Sequence, residues 1–295
     1  MRFPAPERVR EILADLVAIE SVNPALPGGA RGEIEVARYV DAFCQRLGMR
    51  KVEAGGLPGR PNSVWALGPG HPGDRRALMF EAHMDTVTLA DMPDGTLPKV
   101  VDGRMYGRGA CDTKGSLAAM LAAVEALALG ERDRLPGPIL LAAVVDEEYR
   151  QGGAAALLAA GVAPAAAIVG EPTLLRPVVA HNGVARFRIV TQGRAAHTSR
   201  PEHGRNAIVA MAELIRLIER ELTPLERARE HPLCGRAVHT ISLIDGGRQY
   251  NFVPDQCRIG IDRRLLPHED PQEVLGTYRA LLERFSRQHP RTPAS

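Results

Sequence analysis

The chain has 295 residues and lacks several features that would each fix a setting. Its cysteines, Cys44, Cys111, Cys234 and Cys257, lie far apart without C-x-x-C spacing, which excludes a zinc ribbon or a dithiol redox motif and leaves reduced thiols as the expectation. There is no charge excess. Thirty-seven Lys and Arg face thirty-five Asp and Glu, so nothing favours nucleic acid or an anionic membrane surface as a partner. No apolar run approaches the ~20 residues of a membrane span, and the start, Met1-Arg2-Phe3-Pro4, has no continuous apolar core of the kind a signal peptide needs. The expectation is a cytoplasmic protein acting on a small molecule.

What is present is an alternation of helix and strand. Residues 7–19 and 32–47 carry apolar side chains at helical spacing, and short β-like stretches at 51–53 and 63–66 follow. Apolar strands are then expected at 77–82, 139–145 and 165–169, separated by helices at 113–129 and 153–160. Strands without polar alternation, joined through helices, predict an α/β domain whose mostly parallel sheet is covered on both faces. Ligands of such sheets collect at the carboxyl ends of the strands.

The pattern changes near residue 178. Residues 184–191 alternate as a half-exposed strand, and a helix at 206–222, strands at 238–243 and 257–261 and a helix at 271–285 follow. The predicted organisation is residues 1–177 as one α/β domain and 178–295 as a smaller α+β unit with helices on one face of an antiparallel sheet.

Acids and one imidazole stand at the ends of the apolar runs. His83 and Asp85 follow the first strand at i and i+2, on one side if the extended backbone persists, so that Asp85 can receive the second ring N–H. Asp112 closes the loop Gly107-Arg108-Gly109-Ala110-Cys111 directly before a helix, where a capping carboxylate is the plain alternative. That loop does not match the phosphate-binding pattern ending Gly-Lys-Ser/Thr. Asp146-Glu147-Glu148 ends the most apolar strand and Gly170-Glu171-Pro172 the next. Adjacent glutamates point apart, so one can bind a metal while its neighbour acts as general base. So many carboxylates at one edge repel each other without a cation, and a two-metal hydrolase centre is the reading that accounts for them together.

At this point the chain resembles the M20 metallopeptidase and deacylase family, which includes acetylornithine deacetylase, succinyl-diaminopimelate desuccinylase and carboxypeptidase G2. The matching segments are His83-Met84-Asp85-Thr86-Val87, Gly107-Arg108-Gly109 through Asp112-Thr113-Lys114-Gly115, Asp146-Glu147-Glu148 and Gly170-Glu171-Pro172-Thr173. Ala196-His197-Thr198-Ser199-Arg200-Pro201, Asn251-Phe252-Val253-Pro254-Asp255 and Asp262-Arg263-Arg264 match further on. The resemblance implies a zinc-exopeptidase-like fold with a lid that mediates homodimerisation. It implies His83 and Glu171 on a first Zn2+, Asp112 as bridge, Glu148 on a second, Asp85 orienting His83 and Glu147 as general acid/base, with Co2+ or Mn2+ as alternative ions. His197 resembles a lid histidine that stabilises the oxyanion, often in the partner subunit's site, and Asn251 and Arg264 resemble positions that hold the substrate carboxylate.

The implied reaction is hydrolysis of an amide bond in an N-acyl amino acid or small peptide. The chain departs from the family after the lid, where relatives supply one more histidine to the second zinc from a returning segment. The expectation is therefore a second site short of its imidazole and exposed apolar surface on the first domain. A metal-binding, catalytically impaired chain that works by oligomerising is one alternative, and an enzyme with one retained metal, or completed by another chain, is a second; the number of bound ions together with turnover separates the three.

Overall fold

A computed structural model describes residues 3–295. Met1 and Arg2, where the expected leader-free start begins, lie outside the described residues. The chain divides into two compact units, Met1–Arg176 and Pro177–Ser295.

The first unit opens with helices α1 (Pro6–Ala18) and α2 (Ile34–Arg46), then strand β1 (Arg50–Lys51), the hairpin β2 (Gly56–Leu57) and β3 (Arg60–Pro61), and β4 (Ser63–Leu67). Strand β5 (Leu78–His83) leads through a second hairpin, β6 (Lys99–Val101) and β7 (Arg104–Tyr106), to α3 (Lys114–Gly130). β8 (Ile139–Val144), α4 (Gly152–Ala159) and β9 (Ala166–Val169) complete it.

The sheet order is β1-β4-β8-β5-β9. The α/β architecture is the expected one, and the sheet is mixed: β8, β5 and β9 run parallel, while β4 is antiparallel to β8 and β1 to β4. Its cause is loop length. A parallel return needs a crossover of a dozen or more residues, and the segment from Gly68 to Ala77, with Gly70, Pro72 and Gly73, has no room for a helix. The parallel strands, by contrast, are joined through α3 and α4.

Every residue of β8 is buried. Leu141, Ala143 and Val145 face a core shared with α1, α2 and α3, while Leu140, Ala142 and Val144 face a second core with Leu157 of α4. Burying each large aliphatic side chain contributes about 1.5–3 kcal/mol, which fixes β8 in the sheet and places its final residues at the carboxyl edge.

The second unit contains β10 (Gly183–Gln192), α5 (Ala207–Arg227), the small hairpin β11 (Glu230–His231) and β12 (Gly235–Arg236), then β13 (Val238–Gly246), β14 (Gln256–Leu265) and α6 (Pro271–Gln288). β10, β14 and β13 form an antiparallel sheet in that order, and Met211, Leu214 and Ile218 of α5 and Tyr278, Leu281 and Phe285 of α6 pack with Ile189, Ile259 and Ile261 of the strands. Asn206 caps α5, accepting from the Ile208 and Val209 amides, and Asp270 caps α6. α5 continues past Leu222, where the sequence predicts its end, and through Pro224 to Arg227. Its last turn is held from outside. Glu226 accepts from Arg263 Nε at 2.9 Å and from the Tyr278 hydroxyl at 2.7 Å and pairs with His239 Nδ1 at 2.7 Å. Among the described residues no helix is long and apolar enough to cross a membrane.

This buried cluster makes the second unit pH-sensitive. Burial disfavours the charge on His239, but the Glu226 carboxylate and then Glu219 outweigh it and raise its pKa above the ordinary 6.5. Burial likewise opposes charge on Glu226, and His239, Tyr278 and Arg263 pull its pKa below 4.5. The raised group stabilises fully below 6.5 and loses that contribution as pH rises through its folded pKa, whereas the lowered group stabilises above 4.5 and loses it as pH falls. Denaturant unfolding followed against pH is expected to show the pair's full contribution between these limits. It is expected to decline above the upper one in the native chain and not in a His239→Gln variant.

Candidate metal centre

The carboxyl edge of the three parallel strands carries the site. His83 is the last residue of β5, and its register opposite Val144 of β8, with Glu81 opposite Val169 of β9, brings the turns after all three strands to one level. Those turns hold Asp85, then Asp146, Glu147 and Glu148, then Glu171; the fourth contribution, Asp112, stands in the loop before α3.

His83 is buried and central. Its Nε2 lies 3.0 Å from Asp112 Oδ1 and 3.9 Å from both Glu147 Oε2 and Glu171 Oε1. Single donor atoms of His83, Asp112 and Glu148 all fall within 4.8 Å of one another, the group among the described residues compact enough to hold an ion. Asp112 is no helix cap: Thr113 occupies that position, and its hydroxyl donates to Gly170 O at 2.5 Å, which ties the Asp112 loop to the Glu171 turn. Gly170 permits that approach, because a Cβ there would lie 2.5 Å from Ser116 Cβ.

Asp85 acts differently from the expected carboxylate–imidazole pair. The ring nitrogen Nδ1 of His83 donates to the Asp85 backbone carbonyl at 2.9 Å, and the carboxylate stands off at 3.6 Å. Since a carbonyl only accepts, Nδ1 carries a proton, and Nε2, which donates to Asp112 Oδ1 in the metal-free chain, is the nitrogen that would give up its proton to bind a metal. The carboxylate is occupied elsewhere. It accepts the Glu147 and Glu148 amides, each at 3.0 Å, and Asn23 Nδ2 at 2.7 Å, so it anchors the acidic turn rather than the imidazole. Burial opposes its ionisation, yet His83 and these donors hold its pKa below the usual carboxylate range.

The electrostatics fit a cation. Burial, then the charge of Asp112 and the neighbouring acids, pushes Glu148 up to about 7, and burial raises Glu171 too. Burial also disfavours charge on His83, but the Asp112 hydrogen bond and the acids around it raise its pKa to about 11, so a proton on the ring balances the carboxylates. Imidazole nitrogen with carboxylate oxygens is the donor set of zinc and related divalent ions, which would supply that balance instead. Sequence reasoning did not single out Glu81, which shares the period-2 face of His83 and is raised to about 7, chiefly by burial. Nor did it find Asn23, Glu33 and Arg60.

In the second unit, His197 accepts the Ser199 amide on Nδ1 at 3.1 Å, which leaves Nε2–H as a free donor. Asn251 is its neighbour: Thr198 N donates to Asn251 O at 3.0 Å, and His197 bridges Phe252. Arg264 lies at the other end of β14, exposed and paired with Asp262 at 2.8 Å, so this unit joins His197 to Asn251 and not to Arg264.

Comparison with known proteins gives a consistent result. Residues 79–275 match the model of peptidase family M20/M25/M40. An acetylornithine deacetylase from Myxococcus xanthus is 30% identical over 96% of this chain and 73% of its own length. A probable succinyl-diaminopimelate desuccinylase from Staphylococcus aureus strain MSSA476 is 28% identical over 91% and 70%. The YXEP protein of Bacillus subtilis, described as a dinuclear metal-binding peptidase of the M20 family, shares the fold at a TM-score of 0.66 and 18% identity over 98% of this chain and 72% of its own.

Loss of the Asp85 carboxylate is expected to loosen the centre through the turn it anchors. Asp85→Ala is predicted to weaken metal binding by about 10–100-fold, as removal of groups that orient ligands does, read by competition with a chromogenic chelator.

Proposed function

Because the chain belongs to peptidase family M20/M25/M40 and is a hydrolase, we propose that the cluster around His83 is its hydrolytic centre and that its substrate is an N-acyl amino acid or small peptide. The observation that carries this reading is a buried imidazole whose Nε2 faces Asp112, Glu147 and Glu171 within 3.9 Å.

In this reading His83, Asp112 and Glu171 hold one ion and Asp112 and Glu148 a second, with zinc the expected metal and cobalt or manganese able to replace it. A divalent ion bound there supplies a Lewis acid and lowers the pKa of a water from ~16 toward ~7. Glu147 is half-buried, with its carboxylate beside the cluster and its backbone fixed by Asp85. It takes the proton of the attacking water and returns it to the amine nitrogen as the C–N bond breaks. His197 donates Nε2–H to the carbonyl oxygen as charge develops there. Asn251, beside His197, receives the substrate carboxylate, and Arg264, at the other end of β14, shares that role from a second copy of the chain.

The second unit is the dimerising lid of this scheme. Its edge strand β13 exposes Leu243 and Ile244, and a second copy of the chain is the partner that would cover them. The unpaired thiols of Cys44, Cys111, Cys234 and Cys257 suit a reducing, cytoplasmic setting.

A panel of N-acetyl and N-succinyl amino acids and dipeptides, assayed with zinc, cobalt or manganese, identifies the substrate class. Glu147→Ala is expected to reduce turnover roughly 10²–10⁴-fold with metal content unchanged; full turnover in that variant overturns the assignment of the base. For the lid, the double change Leu243→Asp and Ile244→Asp is expected to convert a dimer to a monomer by light scattering.

A further inference from the structure

Behind the acidic turn lies a buried charged chain that no step of the proposed reaction uses. Asp146 directly precedes Glu147 and has φ 67°, in the left-handed region that non-glycine residues seldom occupy. Its side chain is 5% exposed, yet its Oδ1 accepts from Asn23 Nδ2 at 3.1 Å and from Arg60 Nη1 and Nη2 at 3.3 Å, and its Oδ2 accepts the Gly152 amide at 3.3 Å. The Asp146 amide donates to Glu33 Oε1 at 3.0 Å. Arg60 in turn grips the fully buried Glu33 with two bonds, 2.5 and 2.8 Å. Asn23, also fully buried, spans from Asp146 to the Asp85 carboxylate.

Three separate stretches of chain thus converge on one residue: the loop after α1 through Asn23, the residue before α2 through Glu33, and the β2–β3 hairpin through Arg60. Buried ion pairs are often no more stabilising than apolar replacements of similar volume, and what this one does in the structure is hold three stretches of chain against Asp146. The geometry fixed here is that of Asp146. Its left-handed backbone reverses the chain after β8, so that the next two amides meet Asp85 and the Glu147 and Glu148 side chains start from set directions.

We propose that Arg60 and Asn23 are positioning residues for Glu147 and Glu148, acting through Asp146 and its link to Glu33. The inference rests on the assignment of Glu147 as base and Glu148 as ligand. It identifies the β2–β3 hairpin as part of the catalytic apparatus although Arg60 touches no reacting atom.

The test compares Arg60→Met, Arg60→Lys and Asn23→Ala with the unsubstituted chain, on whichever substrate the panel identifies. A displacement of the base by about 1 Å costs up to ~10²-fold in rate. Arg60→Met is expected to lower kcat roughly 10–100-fold while KM changes less than about threefold, and to weaken binding of the more loosely held ion in chelator competition. Arg60→Lys, which keeps the charge without the fork, is expected to restore part of kcat. Asn23→Ala removes no charge and keeps the experiment decisive if Arg60→Met does not fold; it is expected to give the same split on a smaller scale. Coupling supplies the last arm: combined with Glu147→Ala, Arg60→Met is expected to add little further loss. Unchanged kcat and metal affinity per folded molecule, with only a lowered unfolding midpoint, overturn the proposal. Full turnover in Glu147→Ala alone overturns instead the assignment on which it rests.

Discussion

Mutual repulsion among carboxylates is the constraint on which this structure depends. Glu81, Asp112, Glu147, Glu148 and Glu171 surround a single imidazole, and burial raises the pKa of Glu81, Glu148 and Glu171. Left alone, such an edge would relax by turning side chains toward water or taking up protons. The fold resists that by tying the backbone of each turn to a neighbour: the Glu147 and Glu148 amides to Asp85, Gly170 to Glu81 O and to Thr113, and the His83 ring to Asp85 O. The repulsion therefore persists in the folded chain, where a divalent cation would relieve it.

The hydrophobic sheet makes this possible. β8 is buried on both faces, and it holds the position of the Asp146–Glu148 turn with an energy drawn from two cores rather than from the turn itself. The second unit uses polar burial differently. Arg263 and Glu226 lie inside it with His239 and Tyr278, closing the end of α5 against the sheet, and no ion is needed because the charges of opposite sign are already paired.

Much of this was legible in the sequence. The apolar runs at 139–145 and 165–169 became β8 and β9, and the acids at their ends met at His83 because parallel strands in register bring such ends to one level. Periodicity could not show the direction of β4, which is set by the length of a loop, nor the β2–β3 and β6–β7 hairpins, whose strands are too short to carry a pattern. H-x-D spacing put Asp85 beside His83, but the Glu147 and Glu148 amides that its carboxylate accepts lie 62 and 63 positions away and leave no local sign. Asn23, Glu33 and Arg60 were invisible for a plain reason. Their bonds to Asp146 span 123, 113 and 86 positions, and nothing local in the sequence distinguishes a buried Arg or Glu from a solvated one.

The central claim is that the His83 cluster is a metal centre. The most direct measurement is anomalous diffraction at the zinc absorption edge from crystals grown with zinc. The account predicts a peak within bonding distance of His83 Nε2 and the Asp112 carboxylate. A zinc-saturated crystal with no peak beside His83 would contradict it.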